Sequence, residues 1–161
     1  MIEAKLKPPV DNRDGDLPAP EALSPIGWLA MGRDQRVRHC RIAQEDQFFT
    51  FEIDHIIAEQ HGGLTIETNL CLACTDCNGF KGSNIASVDW QGDQTIVGLF
   101  NPRRHVWHEH FRLDLTDGRI LPLTACGRVT AVLLRFNTTE RLTDRQLLLT
   151  VNRYPCKGLS Q

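Results

Sequence analysis

The sequence predicts an α+β fold, and three observations carry that prediction. A strand, loop, strand, helix pattern occupies about forty residues from Phe48 onward. An Asp-Gly pair, Asp117-Gly118, sits between two apolar runs further along, which signals a hairpin. Two stretches near the end then show helical spacing of their apolar residues. The chain has 161 residues with 41% hydrophobic and 24% charged side chains, which suits one globular domain with or without a tail.

Five of the eight prolines fall before residue 26, interleaved with Asp, Asn and Gly. That stretch has no sustained period and is predicted to be a flexible arm over residues 1–32. Residues 33–42 suit a short helix or the first arm of a metal knuckle. Phe48 to Ile53 reads FFTFEI, aromatic and β-branched, and suits a strand. Gly62-Gly63 marks a turn, and Asn69 to Ala73 suits a second strand. A helix is expected from Asn78 through NGFKGSNIASV. His110 to Leu115 and Arg119 to Leu123 flank the Asp-Gly turn. Thr124 to Phe136 and Thr138 to Tyr154 are the two helices, the second with an apolar face of Leu142, Leu147, Leu148, Leu149 and Val151 and polar positions including Arg141.

No apolar run approaches the roughly 18 residues of a membrane helix, and the N-terminus lacks the apolar stretch of a signal peptide. A soluble cytoplasmic protein is therefore expected, with its six cysteines as thiols or metal ligands rather than a disulfide framework. The net charge of −2 is unevenly spread. Residues 1–100 carry 8 basic against 15 acidic side chains, and residues 101–161 carry 10 against 5. A basic last third can attract phosphate locally, or form a solvated arginine-rich face.

The chemistry concentrates between Phe51 and Gly82. Asp54-His55 follows a strand, Asn69 precedes the next, and Cys74-Thr75-Asp76-Cys77 leads into Asn78 and Lys81. Phosphodiester hydrolysis needs an activated water and something to absorb charge on the leaving oxygen. An imidazole, with a reference pKa of about 6.5, can take a proton from water at neutral pH. A hard dication can absorb charge and orient the phosphate, and Mg²⁺ keeps several waters, so two oxygen ligands such as Asp54 and Asn78 suffice. Adjacent residues on a strand point to opposite faces, so Asp54 and His55 can address one phosphate only where the strand ends or bends.

Glu52-Ile53-Asp54-His55-Ile56, Gly62-Gly63, Asn69-Leu70, Cys74 to Asn78 and Lys81-Gly82 together resemble the bacterial HNH endonucleases, the ββα-metal or His-Me finger nucleases. Phe100 to Arg104, with Trp107 and Glu109-His110-Phe111, is similar to the C-terminal extension of that subgroup. The resemblance implies a ββα-metal finger over residues 33–90, followed by an extension over 91–161 with a hairpin and two helices. It implies His55 as general base, Asp54 and Asn78 as ligands of a catalytic Mg²⁺ or Mn²⁺, and Asn69 as the brace of the loop bearing His55. Lys81 would touch a substrate phosphate, and Arg103 and Arg104 face the nucleic acid. The implied reaction is single-metal cleavage of DNA leaving a 3′-hydroxyl and a 5′-phosphate.

The subgroup carries two Cys-x-x-Cys knuckles that bind a structural zinc. Cys74 and Cys77 make one; in the other, Cys40 is present and Val37 stands at its partner's position. Tetrahedral zinc takes four ligands. The fourth beside Cys40, Cys74 and Cys77 can be His39, Cys71 or water, or the metal can be absent. A non-cleaving zinc-knuckle module that binds nucleic acid is the alternative function, and an RNA-cleaving enzyme of the same fold a further one. His105, His108 and His110 have a spacing open to either metal binding or packing. Cys126 and Cys156 are isolated and are assigned no role.

Overall fold

The computed structural model describes residues 39–156. The arm expected over residues 1–32, and Val37, lie outside the described residues. Among these residues the architecture is mixed α+β, with three two-stranded antiparallel sheets and four helices. In chain order they are β1 (Glu52–His55), β2 (Leu70–Ala73), α1 (Thr75–Lys81), β3 (Ala86–Val88), β4 (Ile96–Gly98), α2 (Trp107–His110), β5 (Phe111–Leu113), β6 (Ile120–Pro122), α3 (Ala125–Leu133) and α4 (Thr139–Thr150). None of the described helices is long and apolar enough to cross a membrane.

The first unit is β1, a loop, β2 and α1. β1 pairs with β2 in the register Glu52↔Ala73, Ile53↔Leu72, Asp54↔Cys71, His55↔Leu70. The strand starts four residues later than the FFTFEI run suggests: Phe48 and Phe49 are exposed and stack on each other instead. α1 begins at Thr75, not Asn78, because Cys74 caps it: the Cys74 sulfur accepts from the backbone N–H of Cys77 at 3.4 Å. It also ends early, at Gly82. The helix expected to run on to Val88 is replaced by the β3–β4 hairpin, whose turn is held by Asp89. That carboxylate is buried and takes two guanidinium nitrogens of Arg128 from α3.

The second hairpin, β5–β6, matches the Asp-Gly expectation. Gly118 has φ +76°, a left-handed conformation that favours glycine, and its N–H closes the turn onto the Asp114 carbonyl at 2.8 Å. Thr124 caps α3 by accepting from the Gly127 N–H.

One core cluster joins both regions. Cys40, Ala73, Cys74 and Cys77 pack with Phe100, Phe111, Ile120, Leu134, Phe136 and Tyr154. Phe111 sits between Phe100 and Phe136, with ring centroids at 5.3 and 5.7 Å. α4 meets this core with part of the expected apolar face, Leu148 and Leu149. Leu147 and Val151 are exposed, whereas Arg141 and Arg145 are buried. Buried guanidinium groups need hydrogen-bond partners, and carbonyls supply most of them here, leaving Nη1 of Arg145 without one among the described residues. Arg145 donates to the carbonyls of Gly118 and Phe136, and Arg141 to that of Leu134. The basic excess of the last third is thus partly internal. Besides these two, Arg128 pairs with Asp89 and Arg153 with Asp46, and Arg135 lies over the Phe80 ring.

Candidate active site and thiolate cluster

Strand alternation sorts the row Glu52 to His55 onto two faces. Glu52 and Asp54 point to the side covered by α1; Ile53 and His55 point away. α1 meets the inner side with residues one helical turn apart. The Asn78 side-chain N–H donates to the Glu52 carboxylate, and the Lys81 ammonium to Asp54 Oδ1 at 2.9 Å. Asp54 and Asn78 therefore lie on the same layer but hold different partners. Glu52 was not singled out as a site residue, although its position two residues before Asp54 puts it on the same face.

Lys81 is 4% exposed and donates also to the carbonyls of His55 at 2.7 Å and Gly82 at 3.3 Å. Its expected role, a phosphate contact on the first turns of a helix, does not match this placement: the ammonium is folded inward because Asp54 needs a counter-charge. Burial pushes the Asp54 carboxyl above the ordinary carboxylate range, against the opposing charge and hydrogen bond of Lys81.

His55 is the last residue of β1. Its Nε2 lies 2.9 Å from Thr65 Oγ1, and the Thr65 hydroxyl donates to Glu59 Oε1 at 3.2 Å. A hydroxyl has one proton. With that proton on Glu59, Thr65 can only accept from His55, so Nε2 carries the hydrogen and the Nδ1 lone pair is left to accept a proton.

Asn69 ties down the loop after His55. Its Oδ1 accepts from the Ile57 N–H, its Nδ2 donates to the carbonyls of Ile57 and Leu64, all at 2.9 Å, and its own carbonyl accepts from Ile56 at 2.8 Å. Gly63 lets the loop close on this hub: a Cβ there would lie 1.7 Å from the Ile57 carbonyl oxygen. Asn69→Ala should lower stability by about 3 kcal/mol, roughly one net hydrogen bond for each of the three lost, measured by urea unfolding. A change below ~1 kcal/mol would show that the loop does not depend on the side chain.

Of the two arginines expected to face nucleic acid, Arg104 is exposed. Arg103 is half-buried and its Nε donates to the Leu70 carbonyl at 2.8 Å, so it buttresses the end of β2.

The three knuckle cysteines do converge. Cys40, Cys74 and Cys77 have sulfurs within 4.8 Å of one another, Cys40 and Cys74 at 3.6 Å. His39 and Cys71, considered as fourth ligands, instead group with Asp54. What reaches the thiols is Arg141, whose Nη2 donates to Cys77 Sγ at 3.2 Å and lies 3.9 Å from Cys74 Sγ. Hydrogen bonds from Cys74 and Cys77 hold the Cys40 thiol well below its ordinary range. Cys74 is pushed up to about 12 by its bond to Cys40, and Cys77 up by burial. Arg141 thus brings a buried positive charge against the thiol cluster. The same donors fit zinc: three thiolates and Zn²⁺ sum to −1, and Arg141 restores neutrality. None of the six cysteines is in a disulfide.

His105 and His110, with ring centroids 4.9 Å apart, come together with Cys126, while His108 stands outside the group. Their Nδ1 atoms are engaged, one accepting from the Asn101 N–H at 3.0 Å and the other 2.8 Å from Thr124 Oγ1.

Residues 38–84 match the family model described as HNH endonuclease. The match takes in Cys40, β1, β2 and α1 and stops before the β3–β4 hairpin. The mixed α+β architecture is consistent with the ββα-metal fold of that family. No curated protein and no solved structure matched the chain.

Proposed function

We propose, from a chain whose residues 38–84 match the HNH endonuclease family model, that the protein is a metal-dependent endonuclease that hydrolyses phosphodiester bonds of DNA. Members of this family are nucleic-acid enzymes that work with divalent metals. The observation that carries the finer reading is the His55–Thr65–Glu59 relay. It holds an imidazole at the end of β1 with Nδ1 as its basic nitrogen. His55 takes the proton of the attacking water. Asn69 holds the loop on which Thr65 and Glu59 stand. Asp54 and the Asn78 side-chain oxygen, left over when its N–H bonds Glu52, are the ligands of Mg²⁺ or Mn²⁺, which when bound supplies charge for the leaving oxygen. In-line attack then releases a 3′-hydroxyl and a 5′-phosphate. Cys40, Cys74 and Cys77 hold a structural zinc, with Arg141 balancing the excess thiolate charge. The reduced thiols suit a cytoplasmic setting.

The test is incubation of the purified protein with supercoiled plasmid in Mg²⁺, Mn²⁺ or EDTA, beside an RNA substrate. Nicking that needs metal and is confined to the plasmid is expected. Binding without cleavage under every metal would favour the zinc-knuckle binding module, a reading to which the closed Asp54–Lys81 pair lends support. Arg104, exposed at the edge of this region, contacts backbone phosphate. Arg104→Ala should reduce the log–log salt slope of duplex binding by about 0.9, the loss of one phosphate contact. An unchanged slope would return Arg104 to the solvated surface.

A further inference from the structure

His39 is 2% exposed, and neither ring nitrogen has a hydrogen-bond partner among the described residues. Leaving two buried polar atoms unpaired costs free energy that native structures avoid, so such a group calls for a ligand. His39 lines a cleft of about 200 Å³ together with Asp54, Lys81 and Asn101. One nitrogen of His39, one oxygen of Asp54 and the sulfur of Cys71 all fall within 4.8 Å of one another. Three elements make this convergence. Asp54 and Cys71 are cross-strand partners on the inner face of the β1–β2 pair. His39 comes from the turn before them, where its neighbour Cys40 faces the other way, into the thiolate cluster.

We propose that His39, Asp54 and Cys71 form the protein ligand set of a first-row transition-metal dication such as Co²⁺, Ni²⁺, Mn²⁺ or Zn²⁺. An imidazole and a thiolate beside a carboxylate suit borderline metals, whereas Mg²⁺ takes oxygen. Asp54 has an oxygen to give: Lys81 is held through Oδ1, and Cys71 lies 3.9 Å from Oδ2. Lys81 stays anchored by the carbonyls of His55 and Gly82 when a cation engages the carboxylate. Binding releases the Cys71 proton to solvent. The use of this cation in cleavage rests on the nuclease reading; the binding itself does not.

The consequence is selectivity. Metal-stripped wild type, His39→Ala and His39→Asn are titrated with Co²⁺ and with Mg²⁺ by calorimetry. The thiolate cluster is common to all three proteins and drops out of the difference. Co²⁺ affinity should fall at least about tenfold in both variants, a loss that even outer-shell partners of metal ligands produce. Mg²⁺ affinity should change by less than about threefold, since its oxygen ligands remain. His39→Asn, polar and smaller than the native ring, covers the case in which His39→Ala does not fold. Co²⁺ binding by His39→Asn equal to wild type overturns the proposal, and so does an equal loss of Mg²⁺ and Co²⁺ affinity, which would mean general damage to the cleft. Wild type that binds Co²⁺ through His39 yet nicks no plasmid would count against the nuclease reading alone. Plasmid nicking in Mg²⁺ by a protein whose Co²⁺ affinity ignores His39 would count against the present proposal alone.

Discussion

His55→Ala should lower metal-dependent plasmid nicking by roughly 10²- to 10⁴-fold, the usual contribution of a positioned general base, while leaving DNA affinity and melting temperature nearly unchanged. The ring makes one side-chain hydrogen bond, to Thr65, on the outer face of β1, and the strand's inner face, where Asp54 and Glu52 meet α1, does not involve it. Thr65→Val should keep part of the activity, because it removes the acceptor that selects the Nε2–H form without removing the base. Nicking by purified His55→Ala at close to the wild-type rate would remove His55 from the mechanism.

The largest effect on stability is expected from Arg141→Met. The guanidinium is buried between Cys77, Cys74 and the Leu134 carbonyl. Removing one member of a buried charge pair costs on the order of 3 kcal/mol or more, because the other charge is left uncompensated. The cost should depend on pH. In metal-free protein Cys40 has a depressed pKa, so the folded state binds fewer protons there than the unfolded state. The stability this contributes is complete above the unfolded thiol value of about 8.5 and is lost as pH falls through the depressed one. The difference between wild type and Arg141→Met should therefore be largest near pH 8.5 and shrink in acid, where Cys40 is protonated and Arg141 has no anion to face. Zinc should raise the stability of both proteins, and chelator should remove that gain. A difference independent of pH would assign Arg141 to packing and the Leu134 hydrogen bond alone.

Much of the candidate site was legible in the sequence because it is contiguous. Asp54, His55, Asn69, Cys74, Cys77 and Asn78 lie in one strand–loop–strand–helix unit, and pairing within such a unit follows from local periodicity and turn residues. The α+β class, the Asp-Gly hairpin and the two terminal helices were legible for the same reason. The helix drawn through Val88 failed because its continuation was decided elsewhere: Asp89 is drawn to Arg128, 39 residues away, and pulls Ala86–Val88 into a hairpin.

By itself, then, the sequence determined which chemical groups this protein has and the order in which one short unit presents them. The tertiary structure alone decided their partners. It turned Lys81 inward to Asp54, brought a guanidinium from α4 to the thiols, and set His39 beside Asp54 and Cys71. It also made Arg141 and Arg145 core residues beside Leu148 and Leu149 of the expected apolar face. The physical reason is the same in each case. A charged side chain is placed by the counter-charge or carbonyl that satisfies it once water is removed. Arg141 finds Cys77 across 64 residues of chain, a pairing no local period encodes.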